Sequence, residues 1–140
     1  MNQELKRSII LEHKANPTNF VSDFNDDTYI KINANNISCI DEFELYLKIN
    51  NDIISDIKFV GEGCVISIAS TSIMINLLLN KTIKEAIYII NEFNNMINEL
   101  PYDEVILEEA NVFNEVYKQA NRKKCATISW TSLKEYLEAI

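Results

Sequence analysis

Apolar and polar residues alternate in the first half of the chain in a way that predicts a small sheet. From 42 to 49 the odd positions are Phe, Leu, Leu and Ile, and the even positions are Glu, Tyr and Lys, the period of a half-buried strand. The stretches TYIKINANNI before it and IISDIKFV after it have the same character, with Ile53, Ile57 and Phe59 in phase. Because Asn51-Asp52 is a tight-turn signal, we expect three strands paired antiparallel.

The rest of the chain shows the spacing of helices. Residues 3–14 place Leu5, Ile9 and Ile10 on one face, and Pro17 prevents the helix from continuing. In residues 64–80, apolar or small side chains would lie on almost every face of a helix, which predicts a buried helix.

Three further helices are predicted in the second half of the chain. Thr82 to Glu85 is a capping box that opens a helix towards Asn98. Pro101 opens another, which we expect to run to about Lys118, and the last runs from about Arg122 to the end. The expected architecture is α+β: one domain over residues 1–140, with a three-stranded antiparallel sheet packed against about five helices.

The only two glycines of the chain, Gly61 and Gly63, lie immediately before Cys64, where the last strand meets the buried helix. Glycine tolerates positive φ and close approach of other groups. Unpaired N–H groups at a helix start stabilise negative charge on a neighbouring sulfur. The pattern fits a turn that presents a thiol, and equally a tight turn beside a buried cysteine.

Two other cysteines lie near charged residues. Cys39 and Asp41 are two apart, so on extended backbone both side chains point the same way, and thiolate and carboxylate are both zinc ligands. Cys125 follows the basic run 122–124. From the residues alone, the three cysteines are either small buried hydrophobes, or a metal site or reactive thiols.

Charge and hydropathy exclude several classes of function. The net charge is -8, from 13 basic and 21 acidic residues, which argues against a general nucleic-acid binder. The longest apolar run, 73–79, is broken by Asn76 and is too short to cross a bilayer, so we expect no membrane association. No secretory signal is visible, and the expected compartment is the cytoplasm.

Four motifs together resemble the SufU proteins of Gram-positive bacteria, relatives of the IscU scaffold for iron–sulfur clusters. The start SIILEHKANPTN matches the family at His13, Pro17 and Asn19, and CID matches its Cys-Gly-Asp at Cys39 and Asp41. The family's glycine–cysteine motif matches VGEGCVISIASTSIM at Gly61, Gly63, Cys64, Ser67, Ala69, Ser70, Ser72 and Met74. RKKCATISW matches its last motif at Arg122, Lys124, Cys125 and Trp130.

The resemblance implies a zinc site and a role in sulfur transfer. The zinc ligands implied are Cys39, Asp41, Cys64 and Cys125. The implied activity is that of a zinc-dependent sulfurtransferase, which accepts persulfide sulfur from a SufS-type cysteine desulfurase and feeds downstream iron–sulfur assembly proteins. In the family, the partner is thought to take over one zinc coordination position, which frees Cys39 as acceptor, with Arg122 in support. The alternative is a scaffold that assembles a [2Fe–2S] cluster on the same ligands.

Two positions bear on how far the resemblance extends. Ile40 stands where the family has glycine between Cys39 and Asp41, so a stiffer local backbone is expected. The only histidine, His13, is expected to be a surface or capping residue, because the implied ligand set is complete without it.

Overall fold

A three-stranded antiparallel sheet forms one layer of the molecule. The computed structural model describes residues 1–35 and 40–140. The strands are β1 (Ile30–Asn35), β2 (Glu42–Asn50) and β3 (Ile53–Glu62), in the order β1-β2-β3. Asn51 and Asp52 both have positive φ, 52° and 63°, and close the hairpin between β2 and β3. The predicted strands, their pairing and the turn are confirmed.

One face of the sheet is buried, and a bulge decides which residues of β3 contribute to it. Phe43, Leu45 and Leu47 are buried as their alternation predicts. The register shifts between Lys48 and Ile49. Ile53 is consequently 40% exposed while the next residue is fully buried, so the predicted phase of β3 is wrong at its first residue.

The described residues form five α-helices. They are α1 (Gln3–Ala15), α2 (Val65–Leu78), α3 (Ile83–Ile97), α4 (Glu104–Leu107) and α5 (Ala120–Ala139), of which α2 and α5 pack on the sheet. Eleven of the 14 residues of α2 are buried, and it packs against α1, α5 and β3. The α+β architecture with five helices is therefore as expected, and α2 is the buried helix that the sequence predicts.

Both reciprocal hydrogen bonds of the capping box are present at the start of α3. The Thr82 hydroxyl accepts from the Glu85 N–H, and the Glu85 carboxylate accepts from the Thr82 N–H, both at 3.1 Å. These bonds favour the ionised carboxylate and lower the pKa of Glu85 from its ordinary value. The local signal thus fixes where this helix begins.

The single helix predicted from Pro101 to about Lys118 is wrong. Asp103 caps the four-residue α4, and two short 3₁₀ helices follow it at Glu108–Phe113 and Val116–Lys118. The α-helical conformation ends at Glu108, where φ is +44°. The buried side chain of Asn111 donates to the carbonyls of Glu104 and Glu108, which gives those backbone groups partners that an uninterrupted helix would otherwise supply.

Helix α1 packs through residues that its apolar pattern does not single out. Leu5 is 48% exposed, whereas Lys6 and His13 are the buried residues of this helix. Lys6 donates to the Asn114 side chain at 2.6 Å, so its ammonium group is satisfied at the edge of the core. The inward face of α1 is therefore partly polar.

Among the residues described, no helix is both long enough and apolar enough to cross a membrane.

Candidate metal centre

Asp41, Cys64 and Cys125 come together from three separate parts of the chain. Their ligand atoms, one carboxylate oxygen and two sulfurs, all lie within 4.8 Å of one another. Asp41 immediately precedes β2, Cys64 precedes α2, and Cys125 lies in the second turn of α5. Cys39, the remaining predicted ligand, lies outside the described residues.

Cys64 is the N-cap residue of α2, as its position after the glycines predicts. Its backbone is extended, with φ of -77° and ψ of 173°, and its sulfur accepts from the Ser67 N–H at 3.4 Å. Its own N–H donates to Oδ1 of Asp41 at 3.0 Å. The start of α2 therefore positions both the sulfur and the neighbouring carboxylate.

Ser67 makes the second bond to Asp41. Its hydroxyl is fully buried and donates to Oδ1 of Asp41 at 2.8 Å. The sequence places Ser67 in the glycine–cysteine motif without indicating this role. The spacing could have predicted that Ser67 lies beside Cys64, because residues three apart on a helix share a face.

Both glycines are required by close contacts. Gly61 has φ of +133°, and a Cβ there would overlap the carbonyl oxygen of Glu42 across the ladder. A Cβ on Gly63 would overlap the ring of Phe43 and the Ser67 hydroxyl, and would lie 3.1 Å from Oδ1 of Asp41. Gly61 therefore leaves room for the neighbouring strand, and Gly63 leaves room for the Phe43 ring and the Ser67 hydroxyl.

Polar contacts between α2 and α5 fix the position of Cys125. The Ser70 hydroxyl donates to the carbonyl of Ala126 and accepts from the Trp130 indole N–H at 2.9 Å. The next residue of α2, Thr71, has its hydroxyl 2.7 Å from that of Ser129, which is three residues after Ala126 on α5. These buried bonds set the register of α5 against α2, and with it the distance between the two sulfurs.

The donor set fits a single zinc ion. Four ligands at the usual bond lengths form a tetrahedron with edges of roughly 3.3–3.8 Å, so a spread within 4.8 Å needs only a small contraction. Asp41 and Cys125 are buried, at 2% and 6% exposure. Two thiolates and a carboxylate at this spacing carry three negative charges, which a divalent cation offsets.

Arg122 lies one helical turn before Cys125, in the first turn of α5. Its side chain is exposed and lines a surface groove together with Val65 and Ile66. It forms no ion pair with any residue in the described ranges. The first residue of the basic run therefore faces solvent.

His13 is buried, so the expectation of a surface or capping residue is wrong. Its Nδ1 lies 2.8 Å from the hydroxyl of Ser72 on α2, and its Nε2 lies 2.8 Å from a carboxylate oxygen of Glu109. The Thr18 N–H donates to the same hydroxyl at 2.8 Å. His13 and Ser72 together connect four segments of the chain, and His13 is not among the clustered metal-ligand candidates of the described residues.

Family comparison places the chain in a known class. The model of the NifU-like N-terminal domain matches residues 5–135, so the chain belongs to that family. The zinc-dependent sulfurtransferase SufU of Bacillus subtilis is 38% identical over 132 residues, which cover 94% of this chain and 88% of that protein. The iron–sulfur cluster assembly scaffold protein IscU of Thermotoga maritima is 36% identical, with 90% and 88% covered. The resemblance to SufU and IscU is confirmed.

Solved structures share the whole architecture. A hypothetical protein superposes with a TM-score of 0.87 at 30% identity, covering 98% of this chain and 99% of that one. A protein from Fervidobacterium islandicum, described as an iron–sulfur cluster assembly scaffold for the SUF system, has a TM-score of 0.83 at 30% identity, with 92% and 93% covered. A NifU-like protein of Brucella abortus, at 16% identity and a TM-score of 0.81, shares the fold.

Proposed function

We propose that this protein is a zinc-dependent sulfur carrier for iron–sulfur cluster assembly. It accepts persulfide sulfur from a SufS-type cysteine desulfurase and hands it to downstream assembly proteins, with residues 1–140 acting as one domain. The observation that carries the proposal is the convergence of Asp41, Cys64 and Cys125. The zinc-dependent sulfurtransferase named among its relatives supports the same activity.

The proposed zinc ligands are Cys39, Asp41, Cys64 and Cys125. Only one residue separates Cys39 from Asp41, so Cys39 lies within reach of the cluster along the chain. When bound, zinc keeps the thiols deprotonated and links the segments that carry them. Ser67 and the Cys64 N–H orient the Asp41 carboxylate by their two bonds to Oδ1.

Cys39 is the proposed sulfur acceptor. Its position in sequence is between β1, which ends at Asn35, and β2, which begins at Glu42. A ligand from such a connection can leave the cluster with less repacking than Cys64 or Cys125, which are anchored at helices.

The transfer is a thiol–disulfide exchange that needs no external oxidant. The Cys39 thiolate attacks the outer sulfur of the persulfide on the partner, and a new S–S bond forms at Cys39. The S–S bond of the partner breaks, and its cysteine leaves as a thiolate. In this sense the protein acts as a sulfurtransferase.

Arg122 is proposed to support the transfer through the partner. It is exposed, carries no ion pair among the described residues, and lies one turn from Cys125. An unpaired guanidinium beside the cluster attracts carboxylates of an incoming protein and stabilises negative charge on sulfur during exchange.

The experiment is persulfide mapping on wild type and on Cys39→Ala. After reaction with a SufS-type desulfurase and cysteine, mass spectrometry should show about 32 Da per added sulfur on the peptide that holds Cys39. Cys39→Ala should lose sulfur uptake while it remains folded. Sulfur on Cys64 or Cys125, with continued turnover of Cys39→Ala, would refute this assignment of roles.

The second candidate is a scaffold on which a [2Fe–2S] cluster is assembled. It is favoured by the relatives described as IscU scaffolds and by thiolate donors, which bind iron–sulfur clusters as well as zinc. Protein purified without added iron separates the two. One zinc per colourless chain supports the carrier, and a brown protein that absorbs in the visible range supports the scaffold.

A further inference from the structure

A surface groove runs along α1 and reaches the start of α2, where Cys64 is the N-cap residue. We call it the basic groove; its volume is about 630 Å³. One wall consists of residues 112–119 with Arg122, and the floor includes Val65 and Ile66 at the start of α2. The other wall is the face of α1 that carries Gln3, Lys6, Arg7, Ile10 and Leu11.

The shape of the basic groove suits an extended segment of a protein. The lining positions of α1 run from Gln3 to Leu11, nine residues that extend about 12 Å along the helix axis. Leu11 and Val65 are 47% and 39% exposed, so apolar surface is available for contact. Lys6 is the buried charged group of the lining, and Asn114 and Glu115 already satisfy it. The described lining therefore holds no buried polar group aimed at a compact ligand.

The charge of the basic groove is opposite to that of the whole chain. Its described lining holds four cations, Lys6, Arg7, Lys118 and Arg122, and one carboxylate, Glu115, which makes a net +3.

The pairing within the groove leaves two of these cations available. Glu115 lies 3.7 Å from Nζ of Lys6 and 3.3 Å from Nζ of Lys118. Arg7 and Arg122 have no ion pair with any residue of 1–35 or 40–140. In a chain of net charge -8, two unpaired guanidinium groups on one groove select an anionic partner.

Residues next to two of the metal ligands in the chain line the basic groove. Val65 on its floor directly follows Cys64, and Arg122 on its wall lies three residues before Cys125 on α5. A segment bound in the groove is therefore held next to two of the clustered ligands.

We propose that the basic groove is the docking site for an acidic segment of the protein that delivers the sulfur. The segment places apolar side chains against Leu11 and Val65 and carboxylates against Arg7 and Arg122. This inference rests on the proposed function, because it assigns the surface that the sulfur donor uses. Docking there brings the donor to the metal centre and makes encounter dependent on ionic strength.

The first test compares two exposed charge reversals with the same change in net charge. Arg7→Glu lies in the basic groove, and Lys84→Glu lies on α3, outside it. The dissociation constant for a SufS-type desulfurase is measured with zinc-loaded protein at about 50 and about 300 mM salt. Arg7→Glu should weaken binding by at least about tenfold at low salt, because like charges then face each other. Lys84→Glu should stay within about twofold of wild type.

A second readout separates docking from chemistry. Sulfur uptake from a small persulfide, cysteine persulfide, should be the same in wild type and Arg7→Glu, because this donor does not need the groove. If wild type takes up sulfur from the desulfurase and Arg7→Glu does so with unchanged affinity, the groove assignment is overturned while the proposed function stands. If wild type neither binds the desulfurase nor takes up its sulfur, both are overturned.

Photo-cross-linking identifies the occupant. A photoreactive residue replaces Leu11 in the groove or, as control, Tyr88 on α3; both side chains are 47% exposed. Position 11 should cross-link to a desulfurase segment in which Asp and Glu outnumber Lys and Arg, and position 88 should not. Cross-links from position 11 to a basic segment, or to a second copy of this chain, would overturn the proposal.

Discussion

Replacing Ser67 by alanine removes one of the two hydrogen bonds by which Ser67 and Cys64 orient the Asp41 carboxylate. The Ser67 hydroxyl donates to Oδ1 of Asp41 at 2.8 Å, and the Cys64 N–H donates to the same oxygen at 3.0 Å. The hydroxyl also lies 3.1 Å from the Cys64 carbonyl, but the shorter contact to a charged acceptor is the stronger one. The substitution removes a single oxygen atom, so the bond is lost with little change in packing.

The expected effect follows from the charge and burial of this bond. A hydrogen bond to a charged group contributes roughly 1.5–3 kcal/mol, and removing a group that orients a metal ligand lowers affinity roughly 10–100-fold. The Cys64 N–H still holds Asp41 in the variant, so we expect a loss of zinc affinity nearer tenfold than a hundredfold. Tenfold corresponds to about 1.4 kcal/mol, which agrees with the lower end of the hydrogen-bond range.

The assay is competition for zinc against a chromophoric chelator, with the apo proteins melted in parallel. Ser129→Ala is the matched control, because Ser129 is equally buried and bonds to the neutral hydroxyl of Thr71 at 2.7 Å. Because the Ser129 bond acts on the register of α5 and not directly on a ligand, the control should lose stability and lose clearly less zinc affinity than Ser67→Ala. If Ser67→Ala binds zinc as tightly as wild type, or if both variants weaken it equally, Ser67 does not position Asp41.

Three further substitutions or treatments test the same structure. Stripping the proposed zinc with a chelator should lower the thermal midpoint, because the proposed ion would link Asp41, Cys64 and Cys125 from separate elements; an unchanged midpoint would exclude this role. Gly63→Ala should weaken zinc binding at least as much as Ser67→Ala, because its Cβ overlaps that hydroxyl, as chelator competition will show. His13→Ala should destabilise the fold by about 2–3 kcal/mol, since it breaks two buried or part-buried hydrogen bonds, and leave zinc affinity within about twofold. A thermal midpoint within 2 °C of wild type, where about 4–12 °C is expected, would contradict that estimate.

Much of the architecture could be predicted from local pattern. The alternation in β2 has a period that only a half-buried strand satisfies, and the Asn51-Asp52 turn adopts the positive φ that its residues tolerate. The capping box places the start of α3 because its two bonds involve residues three apart. Such signals depend on the nearest neighbours in the chain.

The local pattern fails where distant contacts decide the conformation. The helix predicted from Pro101 breaks at Glu108, since Asn111 supplies alternative bonds to its carbonyls. His13 is buried because Ser72 and Glu109 reach it from other elements. Nothing in the sequence around either position reports those partners.

The sequence by itself determined the types of residue available for chemistry, the glycine turn before Cys64 and, by resemblance, the family. Only the tertiary structure decided that Asp41, Cys64 and Cys125 meet within 4.8 Å, that Ser67 holds the carboxylate, and that Arg122 faces a groove. The physical reason is separation along the chain. Asp41 and Cys64 are 23 residues apart, Cys64 and Cys125 are 61 apart, and their distance in space is set by the packing of the sheet, α2 and α5. That packing buries apolar surface contributed by the whole chain, so the local pattern around each ligand cannot encode it.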